Sequence, residues 1–143
     1  MGDGEMSYVL VKEKMIDSEE ILKSIEEEFS FKKIKDITSG SKRDDTLIYQ
    51  IIHDVKQLKK EIEAEGEMGQ TEEEELIEEL MSVADEKVVI IEEVIPEGLI
   101  AYGYSYHYDE GLEEIKSIFI ASDESIGELR LRDIADRVLR SID

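Results

Sequence analysis

Residues 99–108 read L-I-A-Y-G-Y-S-Y-H-Y, with tyrosine at every second position: Tyr102, Tyr104, Tyr106 and Tyr108. A strand sends alternate side chains to opposite faces, whereas a helix would scatter these rings around its axis. The stretch is therefore predicted as a strand. One face carries a row of rings, and the other carries Ala101, Gly103, Ser105 and His107.

The punctuation around it agrees. Pro96-Glu97-Gly98 has the proline and glycine of a tight turn, and Asp109-Glu110-Gly111 ends on the glycine of a short hairpin loop. Residues 87–95 (K-V-V-I-I-E-E-V-I) and 115–121 (I-K-S-I-F-I-A) read as strands on either side. Three strands joined by short turns predict an antiparallel C-terminal meander.

Upstream, residues 7–12 read as a first strand. Asp17 with Glu20 three positions on has capping-box spacing, and Ile16 with Ile21 can form a hydrophobic staple, so a helix starts there. Residues 31–38 suggest a weak edge strand, guarded by lysines. Residues 45–64 place Leu47, Ile48, Ile51, Ile52, Val55, Leu58 and Ile62 on one helical stripe, the longest predicted helix. A turn at 65–70 and a cap at Thr71 then predict a second helix and a helical hairpin. A last helix over 125–141, capped by Ser122 or Asp123, turns Leu131, Ile134, Ala135 and Val138 inward. The expected fold is α+β: one domain over 1–143, an antiparallel sheet of four to five strands, and helices mainly on one face, including the hairpin and the C-terminal helix.

The net charge of −21 is concentrated. Residues 61–128 hold 22 acidic side chains against only Lys87 and Lys116, and the remainder is nearly balanced. A nucleic-acid binder needs a positive footprint, so DNA and RNA are disfavoured as partners. There is no cysteine, which removes thiol catalysis, thiolate zinc sites and disulfides. No apolar run has the length of a membrane span, and the acidic first six residues, expected to be disordered, lack a secretory pattern. The expected location is the cytoplasm, with no membrane partner.

Several places could carry chemistry. An exposed row of Tyr102, Tyr104, Tyr106 and Tyr108 would make an aromatic platform, and a covered one would be core or an interface. Above Gly103 and Ser105 there is room for a ligand or a closely packed helix. On a straight strand His107 and Asp109 would share that face, with Glu113 and Glu114 across the turn. Ser39-Gly40-Ser41-Lys42-Arg43 resembles a phosphate loop only in composition, and Asp44 and Asp45 would repel the anion. His53 is expected on the exposed side of the long helix. Arg130, Arg137 and Arg140 are candidates for ion pairs or an interface. No metal site or cofactor is assigned.

These features favour a non-catalytic interaction, assembly or regulatory subunit, expected as a homodimer. The alternatives are a small-molecule-binding domain or small enzyme with its site over Gly103 and Ser105, and an acidic mimic of nucleic acid. The chain has no asparagine and only three glutamines, a heat-adapted tendency. A melting midpoint well above the mesophile cluster is expected in moderate salt, and a calorimetric midpoint near about 50 °C would contradict the thermophile reading.

Overall fold

The computed structural model describes residues 8–11, 14–64 and 73–142. A hairpin of β1 (Tyr8–Val11) and β2 (Lys14–Asp17) leads into α1 (Ser18–Glu28). Asp17 accepts a hydrogen bond from the Glu19 amide, 2.9 Å, as an N-cap should. Ile16 packs in the same cluster as Ile21, the contact expected of the staple. Then come β3 (Lys33–Asp36), β4 (Thr46–Asp54), α2 (Val55–Ala64), α3 (Glu73–Val89), β5 (Leu99–Asp109), β6 (Glu114–Asp123) and α4 (Glu128–Ser141). The expected turn at 65–70, the Thr71 cap and the first six residues lie outside the described residues.

The larger sheet is antiparallel, in the order β3-β4-β6-β5. The α+β class and the four-stranded antiparallel sheet hold, with β3 at an edge as expected. Two elements differ from the sequence reading. The predicted long helix over 45–64 is half strand: β4 occupies its first nine residues, and α2 begins at Val55. Residues 46–53 are buried without interruption, because β4 is covered on both faces and paired on both edges. A strand buried on two sides has a continuous apolar run, which a helical stripe can imitate.

The predicted strand over 87–95 is instead the end of α3 followed by a one-turn 3₁₀ helix, Ile90–Val94. Leu80, Ala84, Val88 and Ile91 are buried while Val89 and Ile90 are exposed, which is helical spacing. The three-stranded meander is therefore a two-stranded β5–β6 hairpin, and β4 takes the place beside β6. The helix pair is present but shorter, with Val55, Leu58 and Ile62 of α2 packed with Leu80 and Ala84 of α3.

Alternation along β4 and β6 divides the interior. Leu47, Tyr49, Ile51, Phe119 and Ala121 face α1, the β1–β2 hairpin and the end of α3. Ile48, Ile118 and Ile120 face Leu131, Ile134, Ala135 and Val138 of α4 on the other side. The α4 start differs from expectation. Gly127, at φ 82°, is its N-cap, while Asp123 caps a preceding 3₁₀ turn by accepting from the Ser125 amide.

One contact sets the spacing of α3 over the sheet. A Cβ built on Gly103 would lie 2.5 Å from Val88 Cγ1 and 3.0 Å from the Ile118 carbonyl oxygen. Gly103→Ala is expected to destabilise by about 1–3 kcal/mol through overpacking. The loss should shrink in a Val88→Ala background, a coupling that denaturant titration of the double-mutant cycle measures.

Candidate functional site

The tyrosine strand is broken by a bulge. Ser105 pairs with Ser117, and the next register pair is His107 with Lys116, which leaves Tyr106 as the extra residue. Tyr102, Tyr104 and Tyr106 therefore pack on the α4 side, and Tyr108 packs with the α2–α3 cluster on the other. The expected row of four rings is a row of three. The bulge also corrects the placement of His107. It is exposed and shares its face with Lys116, Asp109 and Glu114 instead of with Gly103.

The three rings are tied down individually. Tyr102 and Tyr104 have centroids 5.3 Å apart, and the Arg132 guanidinium sits 5.2 Å over the Tyr102 ring. The Tyr104 hydroxyl donates to Asp136 at 3.3 Å. Burial first, and then the Asp136 charge, push that hydroxyl up to about 12. Gln50 Nε2 donates to the Tyr106 oxygen at 2.7 Å. These rings belong to the α4 layer and form no open platform.

The small face is closed by α3. Val88 fills the space above Gly103, so close helix packing is the outcome there. Below it runs a polar chain absent from the sequence reading. Ser105 Oγ lies 2.7 Å from Ser117 Oγ, and Ser117 Oγ lies 2.8 Å from His53 Nε2. His53, expected on an exposed helical face, is 2% exposed in β4, with Phe31 edge-on to its ring at 5.4 Å. Desolvation, assisted by the Lys87 charge, lowers its pKa to about 4. Beyond it lies a cavity of about 140 Å³ lined by Phe29, Phe31, Gln57, Glu61, Lys87 and Ile90. Lys87 there is already paired with Glu61 at 3.0 Å. Ser117 is fully buried and His53 nearly so. Their chemistry is to satisfy each other inside the core.

The cationic candidates are dispersed. Arg43 binds Asp45 through two hydrogen bonds, 2.9 and 3.0 Å, which offsets the charge of that guanidinium. Arg137 pairs with Asp133 one turn back at 3.1 Å. Arg130 and Arg140 are exposed and make no ion pair among the described residues.

The remaining feature is the free edge of β5. Val55 N donates to the Glu113 carbonyl and Glu124 N to the Gly98 carbonyl, which sets the parity of both ladders. Residues 115, 117, 119 and 121 of β6 thus bond to β4, and 118, 120 and 122 bond to Tyr104, Tyr102 and Ile100. The N–H and C=O groups of Leu99, Ala101 and Gly103 consequently point away from the sheet. Ser105 follows the same parity, and its amide is held by Asp85 of α3. Among the described residues that is the one hydrogen bond made to this edge from outside. Beside it a depression of about 130 Å³ is lined by Val89, Glu92, Ala101, Tyr102, Gly103 and Phe119. Val89 there is 52% exposed. The sequence carries a signal for this edge: residues 99–106 have no charge and no proline, whereas β3 at the opposite edge carries exposed Lys33 and Lys35.

Comparison with protein-family models, with characterised proteins and with solved structures finds no match. Among the described residues no helix is long and apolar enough to cross a membrane.

His53 makes stability pH-dependent. Its folded pKa, about 4, lies below the ordinary 6.5, so the folded state resists a proton that the unfolded chain accepts. The neutral-histidine stability is complete above pH 6.5 and falls as pH drops towards 4. By pH 5 about 2 kcal/mol is expected to be lost, and His53→Gln should flatten that part of the curve in urea titrations.

Proposed function

We propose that this chain is an acidic interaction or assembly subunit without catalytic activity that engages its partner through the β5 edge. The observation that carries this reading is the contrast between the two edges of one sheet. β3 is short and guarded by Lys33 and Lys35, while β5 offers backbone groups at Leu99, Ala101 and Gly103 that are unpaired among the described residues, with no charged side chain from residue 99 to 106. An open apolar edge is an aggregation hazard unless something pairs with it. The small-molecule alternative over Gly103 and Ser105 is less favoured because Val88 lies against Gly103 and the depression left beside it is only about 130 Å³.

A homodimer is the second reading. It is favoured by symmetry: in an antiparallel register centred on Ala101, the outward groups of 99, 101 and 103 would pair with 103, 101 and 99 of a second copy.

Ala101→Pro deletes an outward N–H and leaves the β6 ladder intact, a change that edge strands tolerate. Affinity capture from the source cell and light scattering should find a partner or a dimer with the unmodified chain. Recovery with the variant should fall about tenfold at an unchanged melting midpoint. A strictly monomeric, partner-free protein in both forms removes the reading.

A further inference from the structure

On its α3 side the free edge meets carboxylates. Asp85 of α3 bonds to the edge at Ser105, Glu92 of the 3₁₀ turn lines the depression beside Ala101 and Gly103, and Glu97 immediately precedes β5 in the chain. From residue 88 to 115 the sequence contains no lysine or arginine. Lys87 is paired with Glu61, and Arg132 lies over the Tyr102 ring on the α4 side of the strand, the face opposite Gly103 and the depression. Val89 and Glu92 line one depression with Ala101, Gly103 and Phe119, which joins apolar surface to a carboxylate residue. That is the shape a lysine or arginine occupies when its aliphatic stem lies on apolar surface and its charged head reaches an anion.

We propose that the β5 edge takes an extended segment of a partner protein in which lysine or arginine alternates with apolar residues. The segment adds as a fifth strand beside Leu99–Gly103. This rests on the reading of the chain as an interaction subunit and names the partner's chemistry. Backbone pairing at Leu99, Ala101 and Gly103 supplies affinity with little regard to sequence, and the nearby carboxylates select for positive charge. A basic side chain opposite Ala101 or Gly103 lies over the depression by Val89 and Glu92. The bulge at Ser105 and the Asp85 hydrogen bond end the usable edge, so the docked segment is short.

A second copy fits this edge less well. In the register centred on Ala101, Glu97 of one copy falls opposite Ser105 of the other, where Asp85 already sits. Two carboxylates then meet in an interface between chains of −21 each. The segments of this chain outside the described residues do not supply the missing charge either. Residues 1–7, 12–13, 65–72 and 143 hold seven acidic side chains against one cation, Lys12.

The test uses the full chain and three synthetic ten-residue peptides. The first alternates valine and lysine, and the second alternates valine and glutamate. The third is the lysine peptide N-methylated at alternate residues, which keeps its charge and removes its edge-facing N–H groups. Binding is read by calorimetry and by amide exchange in NMR. The lysine peptide should bind and slow exchange at Leu99, Ala101 and Gly103 by about tenfold or more. The glutamate and N-methylated peptides should bind at least about tenfold more weakly. Equal binding of the N-methylated peptide would mean diffuse charge attraction and overturn the proposal. Binding of the lysine peptide without slowing those amides would place docking elsewhere, overturning the proposal and leaving the interaction reading in place. If the protein alone protects the same amides as its concentration rises, a second copy holds the edge, with the same two consequences. No binding and no self-association, together with no partner captured by the unmodified chain, would end both.

Discussion

The two hydrophobic layers of this protein are joined through the side chains of β4. The strand is paired on both edges, and its successive residues feed opposite faces, so neither layer can move without it. Desolvation on both sides makes every polar atom in it expensive unless partnered. Each is partnered across the sheet or to a neighbouring element. Thr46 reaches Ser122, Gln50 reaches Tyr106, and His53 reaches Ser117. Tyr49 sends its hydroxyl 2.8 Å to the Ser18 carbonyl and ties the start of α1 to the sheet. A change at any of these positions removes a contact and also strands a buried partner.

The bulge in β5 has a larger effect than its single extra residue suggests. It divides the tyrosines between two layers and turns His107 away from Gly103. It also coincides with the point where Asp85 satisfies the Ser105 amide. Upstream of that point the outward backbone is open, and beyond it the register has changed. One local irregularity thus delimits the stretch of edge available to another chain.

The chemistry that the side chains could support points the same way. His53 has the neighbours of a reactive histidine, but its serine is sealed in the core. Arg43 of the 39–43 loop and Arg137 of α4 are spent on nearby carboxylates, and Arg132 lies over an aromatic ring. Among the described residues backbone at one sheet edge is left unpartnered, beside exposed Val89 and Glu92. Backbone groups recognise another backbone, which is why the docking proposal concerns an extended segment instead of a small ligand.

By itself the sequence determined the elements whose signals are local. The alternation at 99–108 made β5 a strand, the turn residues at 109–111 made the β5–β6 hairpin, Asp17 started α1, and the spacing of Leu131, Ile134, Ala135 and Val138 set the buried face of α4. Burial on both faces hid β4, because a strand with no solvent side loses the period that distinguishes it from a helix. The run at 87–95 misled for the converse reason. Its valines and isoleucines favour strands, but the slot beside β6 belonged to β4, and the spacing of Val88 and Ile91 suited the extension of α3. Only the tertiary structure decided that Gly103 would be covered, that His53 would be buried beside Ser117, and that β5 would lie at an edge. Each of these depends on which strands become neighbours, and neighbour choice is settled by packing between residues far apart in the chain.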